Sequence, residues 1–217
     1  MRHAEVRYFE GRHPHEVTLT ERGRAQARAA AGALAAVKFD RVVTSGLPRT
    51  IETAEAIVPG AEIERWPDLR EIESGRIGSI PEEELQQAFT QAFHGAVPED
   101  RPFLGGETVG SLLDRVLPAV ERLAAEPGWD TALAVLHGAV NRAVLSYALT
   151  GGRAFLGGFE QAPGCINVLD IGTNDWVVRA VNETPYDPAH VTSPRTTTME
   201  ALWEEFLGAR PRPGPQD

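Results

Sequence analysis

The chain has 217 residues, a single cysteine and a formal net charge of -10. That length suits one α/β domain with a sizeable core. The acidic balance argues against a nucleic-acid surface, Cys165 alone excludes an intramolecular disulfide, and no apolar run approaches the ~20 residues of a membrane span. The N-terminus carries no signal-peptide pattern, so a cytoplasmic setting is expected. Any anionic substrate must be drawn by local arginines, since the global field opposes it.

In chain order, Thr20 is the expected N-cap of a helix through Ala25, Ala29, Ala33 and Leu34. Alanine dominates it, so propensity is high and the packing face is shallow. Residues 40–45 read as a short buried strand. A helix through Thr53, Ala54 and Ile57 follows, and residues 61–66 alternate as a strand. The stretch 75–105 is rich in Gly, Pro and acids, and reads as a lid with one helix near 82–93. Residues 109–123 have helical spacing at Leu112, Leu113, Val116, Val120 and Leu123. Residues 131–136 form the clearest buried strand, and a helix runs from Gly138 to about Leu149. Segments 165–171 and 176–181 flank a turn at 172–175, which marks a hairpin. Cys165 opens the first of them, where a buried thiol is the expected state and a nucleophile is not. A last helix lies near 199–206. One domain over 1–208 is expected, followed by a Pro-rich disordered tail at 209–217. Alternation of strands and helices argues for a three-layer α/β/α sandwich with a mostly parallel central sheet.

Two pairs of residues carry the chemistry. Arg2-His3 opens the chain, and His137-Gly138 follows the clearest strand. A neutral imidazole can attack phosphorus and carry the phosphoryl group covalently. A neighbouring arginine can grip phosphate oxygens through its fork. A second histidine can donate to those oxygens as charge builds.

The residues between the pairs add specificity. Leu19-Thr20-Glu21-Arg22-Gly23-Arg24-Ala25-Gln26-Ala27 comes first, then Ser45-Gly46-Leu47-Pro48-Arg49-Thr50-Ile51-Glu52-Thr53-Ala54. Leu69-Arg70-Glu71 and Gly105-Gly106-Glu107-Thr108 follow. With these blocks in this order, the chain resembles the histidine phosphatase superfamily in its phosphoglycerate mutase-like branch. The match runs from Arg2 to about Asn141 and more loosely to Glu200. The resemblance implies a phosphoglycerate mutase-like fold and a metal-independent phosphomonoesterase of histidine acid phosphatase type. It implies a small phosphorylated metabolite as substrate and no cofactor. His3 is then the nucleophile. Arg2 and Arg49 bind the phosphoryl oxygens, helped by Gly138 at a helix start, where free N–H groups point at anions. His137 stabilises the transition state.

Glu71 is the candidate general acid, because phosphoester cleavage leaves an alkoxide that needs a proton. Glu73 competes, since two positions along an extended segment it shares the same face. Glu107 is expected to cap the helix after it or to support the site from behind, without a part in the chemistry. Thr53 and Ala54 are assigned to packing. Asn141 lies one turn past His137, and a plain helix-face role is slightly favoured for it. His13 and His15 suggest a metal pair, but no second cluster has zinc-site spacing, so a solvated loop is expected. Two departures from the family pattern stand out. Leu136 replaces the usual Ser before the second His, and the loop after Glu5 lacks the usual Asn.

Only Met1 precedes Arg2, where the family has a hydrophobic strand. A start site placed too late is the favoured reading, which predicts that Arg2–Glu5 is weakly anchored. A phosphomutase and a non-catalytic phospholigand-binding protein are the alternative functions. Oligomeric state is open, with a homodimer as the candidate assembly.

Overall fold

The computed structural model describes residues 1–11, 13–172, 175–191 and 196–210. In chain order the elements are α1 (Glu21–Ala33), β1 (Arg41–Thr44), α2 (Pro48–Ile57), β2 (Glu64–Arg65), α3 (Glu82–Thr90), α4 (Val109–Ala125), β3 (Ala132–Val135), α5 (Gly138–Thr150), β4 (Ile166–Ile171), β5 (Trp176–Glu183) and α6 (Thr198–Ala209). β1 lies between β2 and β3, and both pairings are parallel.

Alternate strand side chains leave opposite faces of the sheet, and this builds the layers. Val43 points to α4 and α5, into a core with Leu112, Leu113, Val116 and Val140. Val42 points the other way, to Ala30 of α1 and Ala54 of α2, together with Leu133 and Val135. The expected α/β sandwich with a parallel sheet is therefore the observed architecture. Thr20 caps α1 by accepting the Gly23 N–H at 2.9 Å. The strand expected at 61–66 shortens to Glu64–Arg65. Pro67 opens a 3-10 turn directly after Trp66, and a residue without an N–H cannot extend a ladder.

β4 and β5 pair antiparallel as expected, although residues 173 and 174 of the turn lie outside the described residues. α3, within the 75–105 stretch, packs on α6. Phe89 stacks on Phe206 with ring centroids 5.1 Å apart and meets Trp203 at 5.4 Å. The tail expected at 209–217 is corrected at its start. Ala209 closes α6, and Arg210 donates to Glu82 at 2.5 and 2.7 Å. Residues 211–217 lie outside the described residues.

The first residues differ most from expectation. Met1 N donates to Ala134 O at 2.6 Å, Leu136 N to Met1 O at 2.8 Å and His3 N to Leu136 O at 2.9 Å. On the other side, Arg2 N donates to Cys165 O and Gly164 N to His3 O, both at 3.0 Å. The segment thus prolongs the sheet beyond β3. Thr53 Oγ1 accepts the Ala4 N–H at 3.1 Å, and Gln26 Oε1 accepts the Glu5 N–H at 2.9 Å. His3 and Ala4 are buried. The expected weak anchoring of Arg2–Glu5 is overturned, because backbone partners on both sides and two side-chain acceptors hold it.

Candidate active site

His3 lies within this anchored segment, beside Leu136 at the carboxyl end of the sheet. Its Nδ1 lies 2.8 Å from Ala4 O. A carbonyl only accepts, so Nδ1 carries the proton and Nε2 keeps its lone pair. Burial, then the nearby Arg49 and Arg2, push the imidazole well below the ordinary histidine value. It is neutral at physiological pH. Tyr8 Oη stands 3.3 Å from Nε2.

His137 ends the β3 side of the sheet and is the N-cap residue of α5. Its ring meets that of His3 edge to face, with centroids 5.2 Å apart. Burial, then the nearby Arg49 and Arg2 charges, push it well below the ordinary histidine value as well. Its Nε2 lies 2.7 Å from Ser45 Oγ. Thr50 Oγ1 lies 3.2 Å from the same hydroxyl but gives its own proton to Leu47 O at 2.7 Å.

Arg2 and Arg49 flank the two rings. Arg2 Nη1 donates to Gln161 O at 2.5 Å. Gln161 is held in turn by Asn141 and Asn167, so Asn141 supports Arg2 at one remove. Arg49 starts α2 and is buried; its Nη1 donates to Pro14 O at 2.8 Å, and its guanidinium faces the Tyr8 ring at 5.6 Å.

Glu71 arrives from the loop after β2. Its carboxylate takes the N–H groups of Gly138 at 2.9 Å and Ala139 at 3.1 Å, and so caps α5 from outside. A Cβ at position 138 would sit 3.2 Å from Arg142 Nη1, 3.5 Å from Glu71 Oε2 and 3.8 Å from Arg2 Nε. Gly138 is therefore the point where the helix start, Glu71 and Arg2 come together. Glu73 is exposed, lies 3.8 Å from His15 and lines the same cleft as His3.

Among the described residues, three buried side-chain nitrogens have no hydrogen-bond partner: Arg2 Nε, Arg49 Nε and His137 Nδ1. Leaving such a group unsatisfied costs about 1–3 kcal/mol. All three belong to this cluster. Arg2 and Arg49 line a cleft of about 1510 Å³ together with His3, Glu71, Gly138, Tyr8 and Phe9, and His137 is buried against the His3 ring. A tetrahedral oxyanion matches such a set of donors.

The sequence-predicted residues His3, Arg2, Arg49, His137, Gly138 and Glu71 are thus brought together. His13 and His15 meet each other at 4.9 Å between centroids, yet no metal-holding group is found among the described residues. Cys165 is buried, and burial raises its thiol pKa. Sequence reasoning missed Gln161 and Ser45 as neighbours of the site. Ser45 sat inside a recognised motif, while Gln161 carried no local signal.

A family model described as histidine phosphatase superfamily (branch 1) matches residues 1–184. The 6-phosphofructo-2-kinase/fructose-2,6-bisphosphatase of Gallus gallus is 32% identical over 154 residues. That alignment covers 68% of this chain and 32% of the relative. The chain therefore spans about a third of the length of that curated relative. Among solved structures, the alpha-ribazole phosphatase of Shigella flexneri superposes with a TM-score of 0.66 at 22% identity, covering 84% of this chain and 94% of that one. A mycobacterial glucosyl-3-phosphoglycerate phosphatase gives 0.64 at 24% identity, covering 83% and 95%. No helix among the described residues is long and apolar enough to cross a membrane. With the family model spanning most of its length, the chain belongs to the histidine phosphatase superfamily, branch 1.

Proposed function

We propose that this protein is a metal-independent phosphoric monoester hydrolase of histidine acid phosphatase type, acting on a small phosphorylated metabolite. The observation that carries the reading is the trio of partnerless buried nitrogens on Arg2, Arg49 and His137, gathered around a neutral His3. The reading includes a cytoplasmic setting and no cofactor.

The phosphoryl group enters with its oxygens on Arg2, Arg49 and His137, whose buried nitrogens have no other partner among the described residues. His3 Nε2 attacks phosphorus as the P–O bond to the leaving oxygen breaks, through a loose transition state. Glu71 gives its proton to that oxygen. Water then attacks the phosphohistidine, Glu71 takes a proton from it, and the N–P bond breaks to release inorganic phosphate. His137 must present an N–H from Nδ1, which requires Ser45 to donate to Nε2. Ser45 Oγ lies 2.7 Å from Nε2, within reach to make that donation.

The test is release of inorganic phosphate from a panel of phosphorylated metabolites. Wild type should turn over, vanadate should inhibit, and a chelator should have no effect. A correctly folded His3→Ala protein should be inactive. Transfer of phosphate between positions of a sugar acid without release would favour a mutase. Loss of activity on chelation, restored by a divalent ion, would overturn the reading.

A further inference from the structure

We propose that Arg115 and Glu107 are positioning residues that aim the carboxyl of Glu71 at the leaving oxygen. The proposal rests on the reading of Glu71 as the general acid. Arg115 projects from α4, and its guanidinium offers five N–H groups. All of them are spent. Nε donates to Glu107 Oε1 at 2.8 Å, and Nη2 donates to Glu107 Oε2 at 2.9 Å. Nη1 donates to the carbonyls of Asp68 at 2.8 Å and Arg70 at 2.6 Å. Nη2 also reaches the carbonyl of Glu71 itself, at 3.2 Å.

Glu107 completes the clamp on the far side of Glu71. Its Oε2 accepts the Glu73 N–H at 3.0 Å, and its own N–H donates to Glu73 O at 2.8 Å. The main chain is therefore held at residues 68, 70, 71 and 73, on both sides of the residue whose carboxyl enters the site. The side chains of Arg115 and Glu107 are mostly covered, at 24% and 14% exposure.

Leu69 and Ile72 already anchor the same segment in the core. Replacing both partners of a covered ion pair by well-packed apolar residues is often neutral, while removing one partner destabilises, so each variant is compared only once its fold is checked by unfolding. Tethering is thus supplied twice, and what the ion pair adds is direction. Lysine cannot reproduce the planar fork that serves three carbonyls and a carboxylate together.

A general acid matters most when the leaving group is basic, and this gives a readout that a structural role would not move. The experiment measures kcat/KM for aryl phosphates running from dinitrophenyl to unsubstituted phenyl. Wild type, Glu71→Gln, Arg115→Lys, Arg115→Gln and Glu107→Gln are compared, with vanadate affinity as a check on the phosphate pocket. Misplacement of a reacting group by about 1 Å can cost about 100-fold. The Arg115 variants should lose about that much on phenyl phosphate and less than about threefold on dinitrophenyl phosphate. Vanadate affinity should stay within about threefold of wild type. Glu107→Gln keeps the acceptor for Glu73 and should show a smaller loss of the same kind.

If Glu71→Gln shows this dependence on the leaving group while the Arg115 and Glu107 variants lose equally on every ester, or lose nothing, the positioning role is overturned. If Glu71→Gln itself shows no such dependence, the general-acid reading falls first and the positioning role falls with it.

Discussion

At the scale of single residues, the phosphate clamp and the hydroxyl behind it make separable claims. Arg49 is buried, with Nε partnerless and Nη1 on Pro14 O. Removing one preorganised donor typically costs about 2.7–4 kcal/mol in the transition state. Arg49→Ala should therefore lower kcat/KM by about two to three orders of magnitude, and steady-state kinetics on any accepted ester checks it. Ser45→Ala removes the hydroxyl that faces His137 Nε2 at 2.7 Å while leaving both rings in place. It should cost about tenfold or more in kcat, but less than His137→Ala. Equal activity in Ser45→Ala and wild type would show that the tautomer is set by another group. His3, Arg2, Arg49 and His137 were legible because each sits in a short local motif whose residue types already imply phosphoryl chemistry. The choice between Glu71 and Glu73 was not. The two lie on an irregular segment, and only the approach of Gly138 and Ala139 separates them.

Elements make the next set of claims, because the site is assembled from loops that glycine allows to touch. A Cβ at position 106 would lie 2.3 Å from both Glu73 O and Gly75 N. Backbone cannot yield there as a flexible side chain would. Gly106→Ala should destabilise by about 1–3 kcal/mol, read from urea unfolding. A loss below about 0.5 kcal/mol would mean that the contact relaxes freely. The order of helices and strands was readable from periodicity, with boundaries within a few residues. The seating of residues 1–5 was not. It depends on Ala134, Leu136, Gly164, Cys165, Gln26 and Thr53, all distant in sequence, and periodicity carries no record of such pairings. The same holds for α6. Its Glu205 accepts the N–H groups of Tyr8 at 2.5 Å and Phe9 at 3.2 Å, which ties the far end of the chain to the loop beyond His3.

The whole molecule carries the electrostatic consequence of burying two neutral imidazoles. Both His3 and His137 are held well below the ordinary value of 6.5. Below that value the unfolded chain binds protons at these positions and the folded chain does not. Their contribution is thus present above pH 6.5 and is lost as pH falls from there toward the folded values. Each histidine should add about 1.4 kcal/mol of lost stability per pH unit in that window. Replacing His3 by Gln should make the pH dependence of unfolding shallower by about one proton; an unchanged slope would mean that His3 protonates freely in the folded state. The central claim is that the same His3 becomes phosphorylated during turnover, and rapid-quench peptide mapping tests it most directly. Wild type mixed with substrate should carry acid-labile, base-stable phosphate on His3, forming and decaying as fast as product appears. Steady phosphate release with His3 unmodified at every time point would contradict the account.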